Sequence, residues 1–423
     1  MAESSATYDV VVAGAGVGGL AAAHALGARG LRVLLLEKQR QPVAIAKGEV
    51  LQPSSIRILR EWGVLPELRD RGAVQLDRLV IREADGREVM VFDYAALAGQ
   101  GHHLLSHDYS EILGVLADGL ADEVEWRRGA LVKDLSRDAS GRTDGVVVGE
   151  GDRTYEVRAP LVVAADGLSS RLRKLAGITT DPVEYAHRLA SFELSGGPEL
   201  PSEVSAYLTD RGLRLLYPLP GNRIRLYVQV GADELRGIKK DELTAWCDGL
   251  AADAPSLRPL LDSLRASLDT RQLLKLWRFT ASRMSVPGLA MVGESAHAVH
   301  PMAAQGMNTA IADAHALAGL VGDGPLQKSA VDTVLASYQK ERAGWVRHID
   351  RMSHDATRMI TDTSWAGKVI GRRMLRHTSR NSRLRYVATY NMAGLGIRPF
   401  TVLDRMHQLG LPDPRAGRTP AWA

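Results

Sequence analysis

Short apolar runs and small-residue stretches alternate through the first part of the chain. Val10 to Ala13 is continuously apolar, Gly18 to Arg29 is rich in alanine, and Val33 to Leu36 is apolar again. That succession predicts two buried parallel strands joined by a crossover helix. Leu161 to Ala165 and Leu289 to Val292 repeat the strand-like run, and each ends near an acid followed by small residues and a helical pattern. The same parallel sheet is expected to take up both. Arg188 to Gln229 has another rhythm: Arg214 to Leu219 and Arg223 to Val230 alternate on either side of Pro220-Gly221-Asn222, which predicts an antiparallel hairpin. From Ser329 onward the spacing is helical, with a Gly- and Pro-containing tail from Met392. The expected architecture is α/β. A discontinuous doubly wound part covers 1–75, 105–182 and 276–328, an inserted antiparallel-sheet part covers 76–104 and 183–275, and a helical C-terminal region covers 329–423.

Composition narrows the partners. With 45% hydrophobic and 24% charged residues over 423 positions, the chain has the mix of a packed globular protein, not of a disordered, collagenous or coiled-coil one. Fifty-three Lys and Arg against 49 Asp and Glu leave +4, too mild for a nucleic-acid binder. Acidic small molecules stay open as partners. The single cysteine, Cys247, removes intrachain disulfides and Cys-rich metal sites and reads as a packed thiol. His102, His103 and His107 lack the carboxylate or cysteine pattern of a metal site, so no metal is expected. The first ten residues lack a basic n-region and cleavage site, so a cytoplasmic location is expected. Val10 to Ala28 carries no charge, but its five glycines suit a strand, a turn and a second element instead of a membrane span. Arg372, Arg373, Arg376, Arg380, Arg383 and Arg385 read as a solvated helix face, with an anionic membrane surface, a reductant phosphate or a partner protein as alternatives.

Gly14-Ala15-Gly16-Val17-Gly18-Gly19 fits G-x-G-x-x-G between a strand and a helix, where backbone amides and the helix N-terminus can approach a pyrophosphate. Glu37 ends the next strand eighteen residues after Gly19, where a carboxylate can accept hydrogen bonds from ribose hydroxyls. An acid there repels a 2′-phosphate, so the bound dinucleotide is NAD or FAD and not NADP. Gly293-Glu294-Ser295-Ala296-His297 misses the nucleophile elbow of hydrolases, because His297 stands where the strained turn needs glycine.

Asp166 to Arg173, then Gly293 to His297, Pro301 and Gln305 to Ala314, resemble two further fingerprints of one family. The chain resembles the class A flavin-dependent aromatic hydroxylases, the family of p-hydroxybenzoate hydroxylase. The motifs run from residue 14 to residue 314, while the substrate module and C-terminal part match in outline. The doubly wound part is then an FAD-binding domain and the insert a substrate domain. The resemblance implies bound FAD, with NADPH or NADH as a transient reductant in the same crevice. O2 adds at flavin C4a, and the hydroperoxide hydroxylates or epoxidises an aromatic, quinone or polycyclic small molecule. It implies a cofactor-binding set of Gly14, Gly16, Val17, Gly18, Gly19, Glu37, Lys38, Lys47, Gln52, Val132, Asp166, Gly293, Glu294, Pro301, Gln305, Gly306, Met307 and Asn308. In the family the first acid meets the adenosine ribose, the Asp166 motif supports the pyrophosphate with Arg173 as a phosphate partner, and the acid of the third motif meets the ribityl chain. Pro301 lies against the isoalloxazine, and the amides of Gly306, Met307 and Asn308 open a helix whose dipole stabilises reduced flavin.

Departures are local. Glu294 replaces the usual Asp, with Ser295 able to share its bond; Ala303 or Ala304 stands where the family often has glycine. Lys47 offers a point charge in place of an arginine, and Tyr109 replaces another. His300 is a candidate for touching substrate or relaying a proton, and His297 for a structural hydrogen bond. Substrate contacts are expected from the inserted sheet, among Tyr207, Arg214, Tyr217, Tyr227 and Gln229; His300, Tyr217 and Arg214 form the catalytic set. The chain is expected to be a monomer or homodimer. An FAD-dependent reductase or oxidase of the same fold, or a non-catalytic flavin-binding protein, is the alternative.

Overall fold

The computed structural model of the chain describes residues 8–41, 48–99, 101–323 and 326–422. A six-stranded sheet runs in the order Ser285–Val286, Leu289–Met291, Leu161–Ala164, Val10–Ala13, Val33–Glu37, Val124–Arg128. Every pairing is parallel except at the Ser285–Val286 edge. Its central strands are continuously apolar because they are buried on both faces. The second strand is one residue longer than its apolar run, and that residue is Glu37, paired with Arg128 at the edge. The helix Val17–Gly27 follows the glycine turn. A side chain at Gly14, where φ is +101°, would meet the Ala165 carbonyl oxygen at 2.4 Å, and one at Gly19 would meet the Gly14 carbonyl oxygen at 1.7 Å. The turn is thus pressed onto the neighbouring strand end, a packing open to glycine alone.

A seven-stranded sheet follows the order Gln272–Leu274, His187–Leu194, Arg223–Gly231, Gly212–Leu219, Glu203–Thr209, Arg78–Glu83, Glu88–Asp93. Gly212–Leu219 and Arg223–Gly231 pair antiparallel around the predicted turn, where Gly221 and Asn222 have φ of 73° and 54°. Alternation sorts the side chains. Leu213, Leu215, Tyr217 and Leu219 join Met302, Ala303 and Met392 on one face, while Leu216, Leu226 and Val228 join Trp246 and Cys247 of the helix Lys240–Asp253 on the other. Cys247 is buried there, and burial pushes its thiol up to about 11. Three small sheets have no counterpart in the sequence reading: the meander Ala130–Arg137, Thr143–Glu150, Arg153–Arg158, the set Val50–Leu51, Leu104–Ser106, Val74–Leu76, and the set Val183–Glu184, Trp277–Thr280, His297–Ala298.

The 34-residue helix Lys328–Thr361 spans both sheets. Its first half packs Val331, Leu335 and Tyr338 against the six-stranded sheet, and its second half packs Met352 and Ile360 beside the seven-stranded one. Helices Trp365–Arg380, Ser382–Met392 and Val402–Gln408 complete the chain. Between the long helix and Gly306–Leu320, Asp313 is fully buried. It accepts hydrogen bonds from Arg342 Nε at 2.8 Å and Gly293 N at 3.0 Å and lies 2.7 Å from His297 Nε2. His297 is the structural hydrogen-bonder expected of it.

Burial alone would raise the Asp313 pKa, but the Arg342 guanidinium and His297 more than reverse this, so its carboxyl lies below the ordinary value. A lowered carboxylate pKa contributes stability above the unfolded value that is lost as pH falls through the folded one. Asp313→Asn leaves Arg342 buried without its counter-charge and is expected to cost about 3 kcal/mol. Urea midpoints at neutral pH check this, and the variant should lose less stability than the parent when the pH is lowered toward 3.

Candidate functional site

A cavity of about 980 Å³ runs along the carboxyl ends of the parallel strands and reaches the second sheet. Gly14, Gly16, Glu37, Lys38, Val132 and Asp166 from the sequence-derived set line it. At one end Glu37 accepts from Ala15 N at 2.7 Å and Gln39 N at 2.8 Å, which aims its carboxylate along the wall. Trp126 and Arg128 stand beside it, the guanidinium 3.9 Å from the ring centroid. This flat, cationic wall suits an adenine ring, and the sequence reading missed it because the strand has no motif.

The middle of the cavity lies over Gly16. A Cβ there would meet nothing closer than the Tyr109 hydroxyl at 3.8 Å, unlike its crowded neighbours. Protein packing therefore does not demand glycine at 16; the space above it does. Tyr109 Oη accepts from Val17 N at 3.3 Å and lines the same space, so the residue in place of the family arginine caps an amide of the glycine turn. Asp166 spends its carboxylate on Ser170 Oγ at 2.5 Å, Arg171 N at 2.8 Å and Leu172 N at 3.0 Å, fixing the start of the helix Arg171–Leu175. These features fit a bound dinucleotide pyrophosphate.

Several expectations need correction. Arg173 points away from the cavity: it is buried, donates to Ser295 O at 2.7 Å and Leu168 O at 3.0 Å, and lies over Phe279. Arg171 lines the cavity instead. Ser295 is a buried strut donating to Ala164 O at 2.6 Å, so it shares no bond with a ligand, while Glu294 is exposed. Gly18 and Gly293 serve close packing, since a Cβ on either would meet Val292 or Ala310 at 3.1 and 3.0 Å. Lys47 lies outside the described residues.

The loop around Pro301 is held by amide struts. Asn308 Nδ2 donates to Val50 O at 3.0 Å and Ala304 O at 2.6 Å, its Oδ1 accepts from Gln52 N at 2.8 Å, and Gln305 Nε2 donates to Met392 O at 2.9 Å. The side chains of Gln305 and Asn308 thus fasten the loop, leaving the first-turn amides of Gly306, Met307 and Asn308, which have no intrahelical acceptor, as the group able to meet an anion. Pro301 is half-buried before this turn, and Met307 packs into the core. Ala304 has φ of 48°. It is therefore Ala304, not Ala303, that occupies the left-handed position glycine would fill without strain.

The expected catalytic set separates. Arg214 is fully buried on the far face of the seven-stranded sheet, donating to Leu213 O and Gln229 O; burial, only partly offset by Asp253, lowers it to about 10. Tyr207 faces the same way. The register puts both outside the cavities. His300 is also fully buried and turned from the cavities: its Nδ1 accepts from Met302 N at 3.2 Å and its Nε2 meets His187 Nε2 at 3.0 Å. Burial, with His187 and His354 nearby, holds its pKa well below 6.5 and keeps it neutral. Tyr217 lines neither cavity but donates to Glu49 Oε2 at 2.8 Å, and Glu49 lines the large one. Burial, with Tyr227 and Glu49 beside it, holds its hydroxyl well above 10, so it positions and does not deprotonate. Gln229 is committed to Leu213 N and Thr361 O.

What the sequence reading missed is the buried pair beneath Tyr217. Arg225 forks onto Glu49 at 2.7 and 2.8 Å, and both line the cavity with Asp108 and Glu193. Two residues along the strand from Tyr217, on the same face, Leu215 lines a second cavity of about 320 Å³. Its walls are Ile81, Phe92, Ala206, Met302 and Ala303 from the sheet side and His348, Met352 and Ile360 from the long helix.

Residues 7–353 match the family model described as FAD binding domain. The chain is 28% identical over 372 residues to 6-methylpretetramide 4-monooxygenase of Streptomyces rimosus, covering 84% of this chain and 85% of that protein. It is similar to the crystal structure of PqsL from P. aeruginosa in complex with 2-aminobenzoylacetate, with a TM-score of 0.73 and 25% identity over 84% of this chain and 97% of that one. It shares its fold with p-nitrophenol 4-monooxygenase PnpA from Pseudomonas putida, at a TM-score of 0.73 and 19% identity over 96% of this chain and 99% of that one.

Gly16→Asp places a carboxylate in open space, so it is expected to leave the thermal unfolding of cofactor-free protein unchanged while the purified protein loses its flavin absorbance. Retained stoichiometric FAD would show that the pyrophosphate lies elsewhere. Glu37→Arg removes charge-assisted acceptors and is expected to weaken FAD roughly tenfold to a hundredfold, read by fluorescence titration.

Proposed function

This chain belongs to the FAD binding domain family, and on that premise we propose that it is an FAD-dependent NAD(P)H monooxygenase acting on an apolar aromatic or polycyclic small molecule. Residues 1–75, 105–182 and 276–328 would carry the cofactor and the insert the substrate. One observation carries the reading: the two cavities share one face of the seven-stranded sheet. Leu215 faces the apolar cavity, and Tyr217 binds Glu49 of the larger one, an offset of roughly 7 Å along a strand. A cofactor laid from Glu37 toward Arg225 would end beside the apolar cavity, whose wall includes Met302 and Ala303.

The chemistry supplied by FAD when bound is two-electron transfer from a nicotinamide to O2, one oxygen atom going to substrate and the other to water. The chain's residues would hold and orient. Glu37 would accept from ribose hydroxyls, the Gly14–Gly16 backbone would leave room for the pyrophosphate, and the first turn of Gly306–Leu320 would offset negative charge. The aliphatic walls of the small cavity would exclude water. His348 is the polar group placed to meet a substrate hydroxyl or carbonyl there: burial lowers its pKa, and its Nε2 lies 3.2 Å from Asn391 Oδ1, which fixes Nε2 as donor and leaves Nδ1 as an acceptor. Asn391 Oδ1 is fixed as the acceptor because it also takes a bond from Arg398 N at 2.9 Å.

The test is air oxidation of NADH and NADPH by holoenzyme across a panel of phenols, quinolones and polycyclic aromatics. Ligand-stimulated nicotinamide consumption with isotope from labelled O2 in the product is expected. Consumption without label in any ligand points to a reductase or oxidase. Leu215→Trp fills the apolar cavity and is expected to weaken the stimulating ligand roughly tenfold, about 1.4 kcal/mol, with FAD content unchanged.

A further inference from the structure

Charge and exposed apolar surface gather at one end of the molecule. Residues 365–422 carry eleven Lys and Arg against two Asp, a net +9, while the rest of the chain carries 42 against 47. Ten of the fourteen large apolar side chains exposed among the described residues fall in that same span. Trp365 at 79% and Val402 at 81% exposure protrude almost fully. Val402, Leu403, Met406 and Leu409 are spaced along one face of the last helix and its end. Arg373 Nε donates to Leu409 O at 2.6 Å, and Ile370 and Arg405 line one small cavity between the helices, so the two helices lie side by side.

Several of these cations are internal struts: Arg372 and Arg376 bind Glu83, Arg405 binds Asp355, and Lys368 binds Asp210. Subtracting those three acids leaves the span with +6, of which the helices Trp365–Arg380 and Val402–Gln408, with Lys368, Arg372, Arg373, Arg376, Arg380 and Arg405 against Asp404, keep +2. Arg347 and Arg351, one turn apart and exposed on the long helix, add to it. A face with this excess repels a second copy of itself, and its side chains project outward instead of forming a groove for a partner's helix. Protruding Trp, Val, Leu and Met ringed by arginine suit a soft anionic surface. No helix among the described residues is long and apolar enough to cross a membrane, so such contact is peripheral.

We propose that the face built by helices Trp365–Arg380 and Val402–Gln408 seats the protein on bilayers containing anionic phospholipid, with Trp365, Val402 and Met406 entering the acyl boundary and the arginines meeting phosphates. The placement has a use that rests on the monooxygenase reading. Ile397, Phe400 and Arg405, from the segment leading into that face, line the apolar cavity, so a lipophilic substrate dissolved in the bilayer would have a dry route to it.

The test is sedimentation of FAD-loaded protein with vesicles of phosphatidylcholine alone or mixed with phosphatidylglycerol. It needs no turnover, so it fails or succeeds independently of the assigned reaction. Binding to the mixed vesicles, weakened by added salt and at least roughly tenfold stronger than to phosphatidylcholine, is expected from summed Arg and apolar contributions. The triple variant Trp365→Ser, Val402→Ser, Met406→Ser should lose roughly tenfold or more in partitioning. FAD content and circular dichroism verify its fold, and Arg380→Glu offers a second, surface-only variant that should weaken binding to the anionic vesicles. No vesicle binding, equal binding to neutral lipid, unchanged partitioning of both variants, or a dimer that dissociates on the triple substitution would each overturn the proposal; the last would make the face a contact between copies.

Discussion

The turn at residues 14–19 sets a constraint that the rest of the molecule accommodates: the chain must pass so close to the neighbouring strand end that no side chain fits, yet leave the space above Gly16 empty. Gly14 and Gly19 meet the first demand, touching the Ala165 and Gly14 carbonyl oxygens, and Gly16 meets the second. The apolar strands Val10–Ala13 and Leu161–Ala164 are fully buried and paired in parallel, so they can present that turn at a fixed height. Three residues that line the large cavity arrive at the rim of this gap: Glu37 from the next strand, Asp166 from the one beyond, and Tyr109 from the start of a helix.

The second sheet answers a different problem, that of serving two environments with one surface. Its strand alternation sends apolar residues to a helix-covered core on one side and a mixed set to the cavities on the other. On the cavity side the order along the strand matters: charged and hydroxyl groups at Arg225 and Tyr217 give way to Leu215. The Tyr217–Tyr227 pair, with ring centroids 6.4 Å apart, stands between the polar and apolar ends. Glu49, from the segment before the second helix of the cofactor half, closes a buried ion pair with Arg225 on the wall of the large cavity and thereby ties that segment to the second sheet.

What was legible in the sequence was local. The glycine turn, Glu37 and the strand runs depend on residues within one βαβ unit, and the hairpin at Pro220-Gly221-Asn222 depends on its own turn chemistry. What was not legible depends on orientation or distance. The period of a strand says that Arg214 and Leu215 face opposite ways, but not which way is the cavity, so Arg214 and Tyr207 were assigned to the wrong face. Arg171 and Arg173 raise the same question on a helix, where positions two apart diverge by roughly 200°. Glu49 and Arg225, 176 positions apart, and His348 on a long helix have no local pattern to mark them. Within the six-arginine cluster Arg373, Arg376, Arg380 and Arg385 are exposed, as a solvated face requires, but Arg372, Arg376 and Arg383 also fasten onto Glu83, Asp404 and Asp413, partners no local pattern marks.

The shared sheet face has a consequence for how such a protein can change. Positions that shape the apolar cavity, among them Ile81, Phe92, Ala206 and Leu215, lie on strands that contribute nothing to the turn over Gly16 or to the wall around Glu37. On the function proposed above, substitutions there would rework substrate preference and leave the cofactor wall unchanged. The reverse is not true of the Met302–Ala304 loop, whose Met302 and Ala303 line the small cavity and which is fastened through Asn308 to Val50 and Gln52. On the same reading, mutations there would alter both at once, so a change of substrate fit at this loop carries a change of cofactor fit with it.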